Sequence, residues 1–242
     1  MTEQAAAPRV PLQDFPVTEE PAGRIVGREL LALAAASLLY PFGLRRSAKR
    51  TPRQAQQRTV VLVHGYLANR GPLLPLRAYL HARGHKQILA YEYGGGAGIE
   101  QAAIGLRDFL RERVRGGRID LVCHSLGGLV ARVYLQQLGG ARRVDHCITL
   151  GTPHRGTYNA YWVASRVGRE LRPDSAFLAR LDASRAGAGR VRFASIVAGS
   201  DNIVIPRVFS SNETVVHVPG LGHLGLLFSP TAFRAVAEQL AG

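Results

Sequence analysis

Ser125 lies in a stretch that can do nucleophilic chemistry. The run Leu121-Val122-Cys123-His124-Ser125-Leu126-Gly127-Gly128-Leu129 arrives apolar from Ile119 and leaves helical, with Leu126, Leu129, Val130, Val133, Tyr134 and Leu138 on one face and Gly139-Gly140 as the stop. A serine at a one-residue corner between strand and helix presents its hydroxyl at the end of a sheet and needs small neighbours. Gly127 meets that need, and Cys123 stands where glycine is commonest, giving C-x-S-x-G. The competing reading is an ordinary serine N-cap on the helix.

A hydroxyl is a weak nucleophile, so Ser125 would need a base and a carboxylate to orient that base. Of the histidines only His217 and His223 follow residue 201. His217 fits the alternation of Val215-Val216-His217-Val218, whereas His223 lies in Gly220-Leu221-Gly222-His223-Leu224-Gly225, a loop suited to carrying an imidazole. The acid candidates are Asp201, Asp174, Asp182 and Glu213. Asp201 is best placed, in the turn Gly199-Ser200-Asp201-Asn202 after an apolar strand, although an Asx-turn would also explain it. An oxyanion would be met by the backbone N–H of Leu126 and that of Tyr66, with His64 and Gly65 shaping the second turn. His124 and His154 read as structural, and no metal-ligand spacing links the histidines.

The elements that must hold these residues alternate. Strands are expected at Thr59–Val63, Ile88–Tyr93, Ile119–Cys123, Val144–Leu150, Val191–Ala198 and Thr214–Val218. Helical segments lie between them, among them one faced by Ala103, Leu106, Leu110 and Val114, and a last one capped by Ser229 with Pro230 at its first position. That alternation predicts an α/β fold, a mainly parallel sheet of about six strands with helices on both faces, and active residues at its carboxyl edge. Residues 155–190 interrupt it as a cap-like insertion with Tyr158, Tyr161, Trp162, Phe177 and Leu178.

With 242 residues, 46% of them hydrophobic, the chain can bury a substantial core. The catalytic domain is expected over 58–242, after an N-terminal tail and an apolar and basic segment over 1–57. Net charge is +14, and all 31 basic residues except Lys49 and Lys86 are arginine. They are scattered, apart from Arg45, Arg46, Lys49, Arg50, Arg53 and Arg58, and no nucleic-acid recognition motif accompanies them. Cys123 and Cys147 sit in apolar runs as small buried hydrophobes.

Residues 1–23 show no periodicity. Asp14, Glu19 and Glu20 precede the apolar stretch where a secretory signal would carry positive charge, which favours a cytoplasmic or membrane-associated protein. Leu30–Leu44 is a run of 15 residues without charge, interrupted by Pro41 and Gly43 and limited by Arg28 and Glu29. Three readings stand: a helix packed on the domain, an interfacial helix giving peripheral membrane contact through residues 25–58, or a short tilted anchor.

Taken together, VHGY (63–66), CHSLGG (123–128), GTPHRGT (151–157), SDNIV (200–204) and GHLGLL (222–227) resemble the α/β-hydrolase lipases and esterases, most of all the small bacterial triacylglycerol lipases. The resemblance covers residues 58–242. It implies Ser125, Asp201 and His223 as nucleophile, acid and base, Tyr66 and Leu126 as oxyanion donors, and hydrolysis of acyl or lipid esters without a cofactor. Small lipases are commonly secreted, the alternative location. An acyltransferase or thioesterase would use the same residues, and a ligand-binding protein on the hydrolase fold is a further alternative.

Overall fold

The computed structural model describes residues 20–44, 58–94, 96, 98–205 and 213–242. The helices are α1 (Ala22–Leu44), α2 (Leu74–Ala82), α3 (Ile99–Arg113), α4 (Leu126–Gln137), α5 (Arg166–Glu170), α6 (Ala176–Ala183) and α7 (Pro230–Ala241). The strands are β1 (Thr59–Val63), β2 (Ile88–Tyr91), β3 (Ile119–His124), β4 (Val144–Leu150), β5 (Arg192–Ala198) and β6 (Thr214–Val218). All pairings are parallel, in the order β2-β1-β3-β4-β5-β6.

Burial on both faces explains why β1 reads as an unbroken apolar run. Val61 and Val63 pack with Leu121, Cys123, Leu106 and Leu129 under α3 and α4. Val60 and Leu62 turn the other way, joining Val122, Ile148, Leu76 and Val236 under α2 and α7. Each layer separately removes its helices' apolar stripes from water, the main force holding the sandwich together.

The chain runs outward from β1 to β2, then returns to lay β3 on the other side of β1. The loops after β1 and β3 therefore diverge, leaving a crevice at the carboxyl edge, where such sheets bind ligands. The first of these loops carries Tyr66 and the second carries Ser125.

Three local expectations need correction. The second strand stops at Tyr91 rather than Tyr93: the Tyr93 N–H leaves the ladder to donate to His64 Nε2 at 3.3 Å, and the Tyr93 hydroxyl donates to His64 O at 2.7 Å. Val114 leaves the helix in extended conformation while remaining buried. The N-terminal apolar helix begins at Ala22 and runs through Pro41 and Gly43, so Arg28 and Glu29 lie inside it. Both have partners on the domain, Arg28 at Gly220 O and Glu29 at Leu224 N and Gly225 N. Residues 1–19 and the basic positions 45–53 lie outside the described residues.

Candidate active site

Ser125 has φ 53° and ψ −124°, and its side chain makes no capping hydrogen bond to α4. This rejects the N-cap reading. Positive φ costs a non-glycine residue about 1–3 kcal/mol and persists only where the surroundings enforce it. Here the Ser125 N–H donates to Leu150 O at 2.9 Å, while its carbonyl accepts from Gly128 N at 3.0 Å and Thr152 Oγ1 at 2.8 Å. Gly127 is required by crowding: an added methyl would meet His64 O at 2.6 Å and Val63 O at 2.7 Å. Leu67, one residue beyond Tyr66, also has positive φ at 52°. Among the described residues these are the non-glycine cases, one in each loop at the crevice.

Asp201 and His223 come together from loops after β5 and β6. His223 Nδ1 donates to Asp201 Oδ2 at 2.8 Å, and the other carboxylate oxygen accepts from Ile203 N and Val204 N, both at 2.9 Å. Burial pushes the Asp201 carboxyl up, but the His223 hydrogen bond, its charge and the two amides outweigh that and hold it below the ordinary value. With Nδ1 committed as donor, a neutral His223 keeps Nε2 as its basic nitrogen. Loop-to-loop bonds fix the pair: Ser200 N to Leu221 O at 2.9 Å and Gly199 N to Val218 O at 2.9 Å.

The turn after β4 brings Ser125 and His223 to a common neighbour. Leu150 and Thr152 bond the Ser125 backbone, and Gly151 between them faces the imidazole. A methyl there would lie 3.1 Å from His223 Nδ1, and Gly151 has φ 58°, so both shape and backbone call for glycine. On the β1 side, a methyl at Gly65 would meet Ser125 Cβ at 3.0 Å, bringing the Tyr66 loop against the serine. Leu126 opens α4, where first-turn amides have no partner within the helix.

His124, His64 and His154 have partners of their own. His124 is buried with its ring 4.8 Å from that of His223, and burial, then the neighbouring imidazole, pushes its pKa down to about 3. His64 donates through Nδ1 to Gly65 O at 2.8 Å and stacks on Tyr93 at 4.3 Å. His154 Nε2 lies 3.1 Å from Thr149 Oγ1 and 3.2 Å from Ser195 Oγ. That serine–histidine contact lies inside the sheet rather than at its carboxyl edge. Ser195 is buried within β5, paired to Thr149 and Val215 in the ladder. Asp201 bonds His223 rather than His154, and burial together with the charges of Arg132 and Arg185 drives the His154 pKa well down. Of the remaining acids, Asp182 pairs with Arg132, Arg155 and Arg185, and Asp174 accepts from the Tyr161 hydroxyl. His217 sits on β6.

The insertion over 155–190 folds into a turn at Tyr158–Trp162 followed by α5 and α6. Thr157 Oγ1 donates to Ile203 O at 2.7 Å, Asn159 Nδ2 donates to Asn202 O at 2.8 Å, and the Tyr66 hydroxyl donates to Ser165 Oγ at 3.2 Å. The insertion thus spans from the Asp201 loop to the Tyr66 loop. Sequence reasoning missed Thr152, Thr157 and Glu29. The first two lie in the GTPHRGT motif, so their contribution had a readable signal. Glu29 did not: its carboxylate accepts from Leu224 N at 3.0 Å and Gly225 N at 2.7 Å, nearly 200 positions away.

A family model for palmitoyl protein thioesterase matches residues 99–186, just over a third of the chain, including the serine corner. Among solved structures, the mature form of a Bacillus licheniformis lipase superposes with a TM-score of 0.68 at 14% identity, covering 81% of this chain and 96% of that one. The chain has the α/β-hydrolase fold of lipases and esterases. A metagenomic carboxyl esterase matches the chain with a TM-score of 0.58 at 17% identity, covering 88% of this chain and 86% of that one. A Legionella pneumophila phospholipase gives 0.53 at 17% identity, covering 59% of this chain and only 39% of that one.

Proposed function

We propose that the chain is a serine carboxylic ester hydrolase acting on acyl or lipid esters through an acyl-enzyme, with Ser125, Asp201 and His223 as its triad. The observation that carries the reading is the strained, uncapped Ser125 sharing the 150–152 turn with an imidazole already bonded to a buried carboxylate. In this mechanism His223 Nε2 takes the Ser125 hydroxyl proton as Oγ bonds to the ester carbonyl carbon. The N–H groups of Tyr66 and Leu126 hold the oxyanion. Collapse expels the alcohol, which takes the proton back from His223 and leaves an acyl-serine. Water then gives a proton to His223 and attacks the acyl carbon, and Ser125 leaves as the restored hydroxyl. Asp201 holds the imidazole and stabilises its cation in each half.

The thioesterase match favours a second reading, in which the same acyl-enzyme forms from a long-chain thioester. Initial rates on p-nitrophenyl esters of increasing acyl length, and on a palmitoyl thioester, test both. Ser125→Ala should remove at least ~10³-fold of the rate on the preferred substrate, whereas Ser195→Ala should stay within about threefold of wild type. A rate unchanged by Ser125→Ala would sink the mechanism, and a strong thioester preference would select the second reading.

A further inference from the structure

We propose that the outward face of α1 is a seat for an anionic lipid bilayer, which holds the carboxyl edge of the sheet at the membrane surface. The residues α1 turns to the domain include Ile25, Glu29, Ala32, Ala36, Leu39 and Gly43, spaced four and three apart on one helical stripe. The face turned away carries Val26, Leu30, Leu31, Leu33, Leu38 and Leu44, each at least half exposed, with Leu31 and Leu38 at 73%. A water-facing helix buries its large apolar residues and exposes polar ones. α1 instead buries only Ala32 and Gly43 and leaves most of its leucines exposed. A continuous row of leucines is more than the scattered exposure normal on a soluble surface and marks contact with an apolar phase.

The helix is held where this face borders the candidate site. Near its start, Arg28 Nη1 donates to Gly220 O at 2.8 Å, and Glu29 accepts from Leu224 and Gly225 in the loop that carries His223. Near its end, the Tyr40 carbonyl accepts from Asn69 Nδ2 at 2.9 Å, in the loop that carries Tyr66. A methyl on Gly71 would lie 2.2 Å from Leu39 O, so the helix backbone rests on that loop. Leu67, 70% exposed, and Trp162, 88% exposed, add apolar groups from loops at the same edge.

Charge selects the occupant. The sequence carries +14 overall and places Arg45, Arg46, Lys49, Arg50 and Arg53 directly after α1. Two such copies repel, whereas anionic headgroups attract each basic residue near the surface. Length and a mean hydropathy of 1.4 would let α1 cross a membrane, but its geometry opposes that. One stripe is bonded to the folded domain, and the charge-free part, 15 residues, reaches roughly 22 Å, short of a hydrocarbon core of about 30 Å. The seat goes beyond the ester-hydrolase reading; only the corollary that substrate is met at the lipid surface rests on it.

The test uses the full chain carrying Ser125→Ala, so that vesicle lipids are not consumed, in co-sedimentation with phosphatidylcholine vesicles with and without phosphatidylglycerol. Binding should require the anionic lipid and weaken with salt. Leu31→Glu/Leu38→Glu should weaken it at least ~10-fold, with Leu30→Ser/Leu33→Ser as a milder pair in case the first fails to fold. In the Ser125 background, both pairs should keep turnover of soluble p-nitrophenyl butyrate, so a failed seat and a failed hydrolase reading give different results. Four outcomes would overturn the proposal: no binding to anionic vesicles, equal binding by the leucine variants, protein that resists alkaline carbonate extraction, or a dimer in solution that the leucine variants abolish without vesicle binding.

Discussion

Two buried aspartate–histidine pairs stand at opposite edges of the sheet. At the carboxyl edge His223 Nδ1 meets Asp201 at 2.8 Å; at the amino edge His146 Nδ1 meets Asp120 at 2.7 Å. Their surroundings differ. Asp120, near the start of β3, also receives Arg58 at 3.1 Å, and Arg58 joins Asp145, itself paired with Arg118. That carboxylate is already neutralised by a guanidinium. Asp201 takes two neutral backbone amides on its second oxygen, and among the described residues its ion pair is with His223. Its charge is left for the cation that forms when His223 accepts a proton. Distance and burial therefore do not distinguish the proposed catalytic pair from the other. The edge of the sheet, the competing cations and a strained serine across the turn do.

Matched substitutions at the two pairs sharpen the contrast. Asp201→Asn should lower kcat/KM on the preferred ester by ~10³–10⁴-fold, because Asn turns its neighbour toward the wrong tautomer. Asp120→Asn should leave turnover per folded molecule within about threefold. Its cost should appear in thermal melts, at about 2–3 kcal/mol or roughly 5–10 °C, since His146 and Arg58 lose their shared anion and Arg58 is partly exposed to solvent. Equal activity losses at both positions would erase the distinction.

Acid should expose a second asymmetry. His124 is ordinarily protonated below about pH 6.5 when unfolded, yet when folded it stays neutral down to about 3. The unfolded state thus binds the extra proton between those values, and stability falls as pH falls, by about 1.4 kcal/mol per unit from this residue. Burial of His64 and His154 acts in the same direction. Denaturant melts from pH 7 to pH 4 should show this slope, and His124→Asn should flatten it.

The smallest effect concerns strain at the serine itself. Ser125→Gly should abolish turnover but raise stability by about 1 kcal/mol, or 2–4 °C, by relieving the positive φ, whereas Ser125→Ala should not. A melting temperature unchanged by glycine would mean that the corner is unstrained.

The sequence by itself determined the alternation of elements, because strands buried on both faces and helices with one apolar stripe leave local periodic traces. It also marked candidate positions for a site: apolar strands ending in turns placed Tyr66, Ser125, Asp201 and His223 at the carboxyl edge, and the structure brings Asp201 and His223 into contact. The serine corner, ambiguous as a string, became distinct only through its backbone angles. Other features had no trace in any window. Glu29 reaches the His223 loop across nearly 200 positions, Asp120 finds His146 and Arg58 from three elements, and His154 finds Ser195 inside the sheet. The apolar run at Leu30–Leu44 showed what it was made of but not which side would face the domain. Packing decided that, because Gly43 on the helix and Gly71 on the loop leave no room for a side chain where helix and loop meet, which turns Leu30, Leu31, Leu33, Leu38 and Leu44 outside.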